Sequence, residues 1–279
     1  MNDIMQDFSP SAISQALDAN EIAFWMLFKN HAYMKLHGDP EIFWFETGIR
    51  HDIFNRVLQT RFEAGTLPQA IERVLASFQS RRIPFLWHLG PSSRPAHLDT
   101  LLQSRGLVHY ETEPGMFVDL LAFNEDIQVS HNVTVQPVMT DEQLQQWIRI
   151  WEFESSEEVI DLWFSLYSSL SLYREHSLRL YLGVQDGKPV ATSAVCFAGG
   201  VASIGPIGTL PPYRGQGIGA TMTLTALREA RSQGYRIGVL TASPMGINIY
   251  RRIGFQQFCT SSIYLWHPQY PDMHAYSSK

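Results

Sequence analysis

Residues Arg214-Gly215-Gln216-Gly217-Ile218-Gly219-Ala220 constrain this chain more than any other stretch, because an arginine and three alternate glycines stand between a strand-like and a helix-like run. The run before them, Val201 to Leu210, is apolar and partly β-branched, and Pro211-Pro212 ends it. The run after them, Ile218 to Ser232, sets Ile218, Met222, Ala226 and Ala230 on one helical face. The glycines therefore fall at a helix N-terminus, where the first N–H groups lack intrahelical acceptors and the dipole is positive. An anion bound there satisfies both. Glycine admits a close approach of phosphate to the backbone that a side chain would block, and Arg214 adds a charge-assisted contact. The pattern predicts a phosphate cradle.

Two readings of the cradle compete. Gly215-x-Gly217-x-x-Ala220 fits the relaxed dinucleotide fingerprint, which requires an acidic ribose ligand about 20 residues on. The next strand-like run, Arg236 to Thr241, has no Asp or Glu, and Pro211-Pro212 spoils the short strand-to-helix turn, so binding of NAD is disfavoured. Arg214-x-x-Gly217-x-Gly219 instead resembles the signature of the GNAT superfamily of acyl-CoA N-acyltransferases. The likeness continues through Thr241-Ala242-Ser243-Pro244-Met245-Gly246-Ile247-Asn248-Ile249-Tyr250-Arg251-Arg252-Ile253-Gly254-Phe255, which is similar to the family's strand, short helix and Asn-x-Tyr-x-x-x-Gly-Phe ending. Ser243 suits an N-cap with Pro244 at the first helical position, and Gly254 suits a C-cap of positive φ. Phe255 then opens a strand to Leu265, with Phe258, Ile263 and Leu265 as core candidates.

The resemblance implies acetyl-CoA as co-substrate and no metal. It places the pyrophosphate on Arg214 and the backbone of Gly215, Gln216, Gly217, Ile218, Gly219 and Ala220, the pantetheine arm on Thr209 and Leu210, and Asn248 beside it. It assigns Tyr250 the general-acid role, protonating the leaving thiolate while an amine attacks the thioester carbonyl directly. From spacing alone, Tyr250 reads first as a core residue with a satisfied hydroxyl, and it is the resemblance that turns the reading to catalysis. In Ala202 to Leu210, a proline and two glycines argue against pairing on both edges, which suits the family's splayed central strand open to a peptide-like ligand.

The resemblance covers roughly the last 150 residues of 279 and implies a mixed α/β sheet. The first half carries a fainter echo: a helix-like run Leu67 to Ser80, a strand within Arg82 to Pro91, a helix Pro95 to Ser104, then Gly106 and an apolar strand. Superposing Gly106 on Gly254 sets Leu102 opposite Tyr250, and nothing before Leu67 matches the cradle. The expectation is two tandem GNAT-like domains, degenerate over 1–128 and catalytic over 129–279. Asn124 to Asn132 would be the boundary, Gly115 to Leu121 closing the first domain and 133–137 opening the second. Helices over Asp141 to Leu172 and strands near Leu178–Val184 and Pro189–Ala198 follow, with Asp186-Gly187 as a hairpin turn.

At 45% hydrophobic and 17% charged, the chain can bury a sizeable core, and a net charge of −6 without a basic block argues against nucleic acid and membrane partners. Two distant cysteines and scattered histidines lack metal-ligand spacing. The acidic N-terminus has no signal-peptide shape and Ile22 to Phe28 is too short for a bilayer, so a cytoplasmic monomer or homodimer is expected. Glu154 and Glu158 are candidate bases, but Ser155-x-x-Glu158 also reads as a capping box. Trp147, Trp151, Trp163, Phe164 and Tyr167 have the spacing of a core face. The acceptor is a small-molecule or peptide amine. The alternative is a non-catalytic acyl-CoA-binding or sensor module.

Overall fold

The computed structural model describes residues 4–62, 67–170 and 177–269. They form two compact units, 4–28 with 115–258, and 29–114 with 259–269. The chain opens with helix α1 (Pro10–Met26), strands β1 (Lys35–Gly38), β2 (Ile42–Glu46) and β3 (Arg56–Thr60), helix α2 (Leu67–Gln79), strand β4 (Phe85–Leu89), helix α3 (Leu98–Gln103) and strand β5 (Val108–Asp119). Strand β6 (Thr134–Pro137), helices α4 (Asp141–Trp151) and α5 (Glu157–Ser168), and strands β7 (Leu178–Gln185), β8 (Lys188–Ala198), β9 (Val201–Ile204) and β10 (Gly208–Thr209) follow. Helix α6 (Ile218–Ser232), strand β11 (Ile237–Thr241), helix α7 (Ile247–Ile253) and strand β12 (Gln256–Trp266) complete it.

In the unit formed by 29–114 and 259–269, β1, β2 and β3 are antiparallel, β4 joins β3 in parallel, and β12 lies antiparallel to β4 from Ser262↔Leu89 to Trp266↔Phe85. Its core gathers Val74 and Phe78 of α2, Phe85 and Trp87 of β4, Leu102 of α3 and Tyr264 of β12. Phe78 and Phe85 stack with ring centroids 4.4 Å apart.

The other unit pairs β6, β7, β8 and β9 antiparallel in that order; β11 joins β9 in parallel and β5 joins β11 antiparallel. Local sequence explains most of these elements. Leu178, Leu180 and Leu182 alternate into the core along β7, and Asp186 (φ 50°) and Gly187 (φ 76°) make the expected hairpin turn into β8. Thr140 and Gln143 form a reciprocal capping box at α4, which buries Leu144, Trp147, Ile148 and Ile150. Ile218, Met222, Ala226 and Ala230 of α6 are all buried, as their spacing predicts.

Three expectations shift. The compact units do not follow a single cut at 128: Gly115 to Asp119 of β5 pair with Thr241 to Ile237 of β11, and β5 and β12 each begin in one unit and end in the other. Met116, Val118 and Leu120 bury against Leu227 and Leu240, a choice of partner that alternation along one strand does not encode. Residues 4–28 also belong with 115–258, because Asn20 of α1 donates its Nδ2 hydrogens to the carbonyls of Cys196 (3.1 Å), Ala198 (2.9 Å) and Val201 (3.4 Å). The cap of α5 is Ser156, accepting from the Val159 N–H, while Ser155 donates to Glu152, so the cap falls one residue later than expected and the reciprocal box with Glu158 does not form. The helical stretch expected to Leu172 is described as far as α5 and Leu170, its last two residues lying outside the described residues.

Candidate active site

The strand before the cradle breaks where its sequence predicts. β9 pairs with β8 on one side and with β11 on the other through Ala202 and Ser203; after Gly205-Pro206 the chain resumes as β10, which keeps β8 as partner and leaves β11. Leu210 donates to Val190 O at 3.0 Å. By antiparallel alternation, Thr209 therefore turns its own N–H and C=O away from β8. That carbonyl accepts from Arg214 Nε at 2.9 Å. The Arg214 guanidinium lies 5.1 Å from the Phe153 ring centroid.

Gly217, at φ 80°, is the N-cap of α6 and supplies no side-chain cap. Among the described residues, no acceptor pairs with the backbone N–H groups of residues 215 to 220. An uncapped helix start with that many free donors has the chemistry to accept an anion.

Beside it lies a cavity of about 460 Å³. Thr209, Arg214, Gly215, Gly217, Ile218, Gly219 and Ala220 line it, and so does Tyr250. Leu210, Gln216 and Asn248 do not, and Asn248 is exposed on α7. Glu154 and Glu158 are exposed and are not among the lining residues.

Helix α7 starts three residues later than the Ser243-Pro244 pair predicts. Ser243 heads a turn instead, its Oγ accepting from Gly246 N–H at 3.2 Å and its carbonyl from Ile247 N–H at 3.1 Å. Gly254 closes the helix at φ 109°, as expected, and Phe255 is buried behind it. This short helix carries Tyr250 into the cavity, edge-on to Phe255 at 5.7 Å. A Cβ built on Gly246 would stand 2.7 Å from the Tyr250 ring, so the glycine makes room for it. Burial pushes the Tyr250 hydroxyl up to about 12, and it has no hydrogen-bond partner among the described residues. A phenol that stays protonated, lines the cavity and makes no hydrogen bond among the described residues can donate a proton to a group bound there.

Sequence reading assigned Trp151 to the core together with Trp147, Trp163 and Tyr167. The last three are buried, whereas Trp151 lines the cavity with Phe153. Met245 and Tyr213 also line it. The available signal was an aromatic residue in a polar loop, Glu152-Phe153-Glu154, between two helix caps.

A family model for the GNAT acetyltransferases matches residues 137–255. This stretch is a GNAT acetyltransferase domain. Solved structures extend the likeness in fold over both units. A GCN5-related N-acetyltransferase from Kribbella flavida is 21% identical, with a TM-score of 0.68 over 88% of this chain and 94% of its own. A tandem GNAT protein from the clavulanic acid biosynthesis pathway is 15% identical, with a TM-score of 0.60 over 92% and 94%. A GCN5-related N-acetyltransferase from Sphaerobacter thermophilus, 15% identical, has a TM-score of 0.61 over 93% and 94%. No curated protein matches the sequence. The chain thus has a mixed α/β GNAT fold of the tandem kind, and the family whose model matches residues 137–255 points to acyl transfer. Among the described residues no helix is long and apolar enough to cross a membrane, and no cluster of three His, Cys, Asp or Glu could hold a metal ion.

Proposed function

We propose that this chain is an N-acetyltransferase that moves an acetyl group from acetyl-CoA to a primary amine by direct attack. The observation that carries the reading is the presence of free donors and a protonated phenol around one cavity: N–H groups of residues 215 and 217 to 220 at the start of α6, and Tyr250 on α7. These residues fit the co-substrate. The donors and Arg214 would hold its pyrophosphate, and Thr209, with its peptide groups turned from β8, would pair with the pantetheine amides. Acetyl-CoA supplies an activated thioester. As the C–N bond forms and the C–S bond breaks, Tyr250 donates its Oη proton to the departing sulfur, and the proton that the amine nitrogen sheds passes through water to restore the phenol; a tyrosine is protonated at neutral pH, and burial shifts this one further the same way. The reaction belongs to the cytoplasm and needs no metal, and the protein acts as a monomer or homodimer.

The test is a thermal-shift titration with acetyl-CoA, coenzyme A and NAD, alongside Arg214→Ala. Ligand at a hundredfold excess over Kd raises stability by about 2.7 kcal/mol. A shift with the CoA species and none with NAD, reduced in the variant, is expected; no shift with CoA would overturn the reading. Tyr250→Phe then separates an enzyme from a CoA-binding sensor. Both retain the shift, and an enzyme alone has thiol release to lose.

A further inference from the structure

Large apolar side chains on a surface mark what it is built to touch. Met245, 67% exposed, and Phe153, 38% exposed, are among the few large hydrophobic side chains left open among the described residues, and both line the same cavity. They stand on separate segments, the turn before α7 and the loop after α4. Ile150, Trp151 and Ile249 line the same cavity. The charge at the cavity is of one sign: Arg214 and Arg252 line it, neither forms an ion pair among the described residues, and no carboxylate is among the lining residues.

We infer that the acceptor is a primary amine on an apolar body the size of an aromatic ring. The inference rests on the acetyl-transfer reading above and names its substrate class. A ring between Phe153 and Met245 would remove its own surface and theirs from water, a gain of about 25 cal/mol per Å². A polyhydroxylated amine would press hydroxyls against Trp151 and Phe153 without hydrogen-bond partners. A polyamine would bring further positive charge toward Arg252. Two kinds of molecule share the favoured chemistry: an arylalkylamine, and an aromatic amino acid whose carboxylate would meet Arg252.

The experiment uses the full chain. Calorimetric titration with acetyl-CoA comes first, since the absence of binding would sink the acetyl-transfer reading itself. Initial rates of thiol release, and binding to the CoA-loaded protein, are then compared for phenethylamine, phenylalanine, spermidine and kanamycin. The expected result is a kcat/KM at least about tenfold higher for one of the two aromatic amines, with KM for that amine raised about three- to tenfold by Met245→Ser at saturating acetyl-CoA. Arg252→Gln separates the sources: it raises KM for phenylalanine and leaves that for phenethylamine in place. Acetyl-CoA binding accompanied by faster turnover of spermidine or kanamycin, by no binding of either aromatic amine, or by indifference to Met245→Ser overturns this inference and leaves the broader reading standing.

Discussion

Gly215 and Gly217 look equivalent in the sequence, yet the structure predicts different penalties for replacing them. Both have positive φ, 75° and 80°. A Cβ at Gly215 would meet nothing within 4 Å, whereas one at Gly217 would stand 2.8 Å from the carbonyl carbon of Val129 and 3.0 Å from the nitrogen of Ser130. That neighbouring backbone cannot easily withdraw, because the Ser130 N–H is held by Thr221 Oγ1 at 3.0 Å. Gly215→Ala therefore carries only the left-handed strain of an L-residue, about 1–2 kcal/mol. Gly217→Ala adds a backbone collision of the kind that costs about 1–3 kcal/mol, for a total of about 2–5 kcal/mol. At about 2–4 °C per kcal/mol for a unit of this size, the two melting temperatures should fall by about 2–8 °C and 4–20 °C. Asparagine tolerates the left-handed region, so Gly215→Asn should recover part of the loss, while Gly217→Asn should not, since its Cβ meets the same atoms. Cofactor affinity should rank the other way relative to stability. The Gly215 methyl would project into the cavity and weaken acetyl-CoA binding by at least about tenfold, about 1.4 kcal/mol. Scanning calorimetry and acetyl-CoA titration of the four variants check this. Equal melting temperatures for the two alanine variants, or a Gly217→Ala protein as stable as the parent, would refute the packing argument.

Gly246→Val should push the Tyr250 ring from its place, lowering kcat about 10²- to 10⁴-fold while acetyl-CoA still binds; an unchanged kcat would show that the ring is not needed there. Because burial raises Tyr250 to about 12, its acidic form persists through the alkaline range, so kcat should show no falling limb from this group between pH 7 and 10. A limb below pH 10 that disappears in Tyr250→Phe would contradict that. Asn20→Ala should orphan buried carbonyls of the β8–β9 turn and cost about 1–3 kcal/mol, read as a lower melting temperature. Asp119 makes two bonds to Arg236, at 2.6 and 2.7 Å, and the guanidinium holds its carboxyl below the ordinary 3.8. Its contribution, about 1 kcal/mol for this partly exposed pair, is thus present above that value and lost as pH falls through the lower folded one. The difference in melting temperature between Asp119→Asn and the parent should shrink toward zero as the acid range is entered.

What was legible in the sequence is what is decided locally. Gly217 at φ 80° and Gly254 at φ 109° sit at helix ends where neighbouring residues already demand a glycine, and the hairpin at Asp186-Gly187 is of the same kind. What escaped depends on partners distant in the chain. Nothing within Gly115 to Asp119 says that Ile237 to Thr241 lie opposite, and nothing in α1 says that Asn20 bonds carbonyls near residue 200. Trp151 has the spacing of its buried neighbours; the end of α4 and the passage of β10 leave its side chain at a cavity.

The internal echo shows both sides of this at once. Strand β4, helix α3, Gly106 at φ 83° and strand β5 repeat the order of β11, α7, Gly254 and β12, so the frame that supports α7 was readable twice in the chain. At the position where α7 carries Tyr250 into a cavity, α3 carries Leu102, which is 0% exposed within the core of its own unit. A leucine there adds apolar burial and carries no hydroxyl, so it could not take the role proposed for Tyr250. The first half also has no glycine cradle ahead of α2 to bring an anion within reach of such a donor. Fold and chemistry are therefore separable under the proposed mechanism: repeated capping and alternation reproduce the frame, and the proposed reactivity enters where a helix position exchanges a fully buried core side chain for one that lines a cavity.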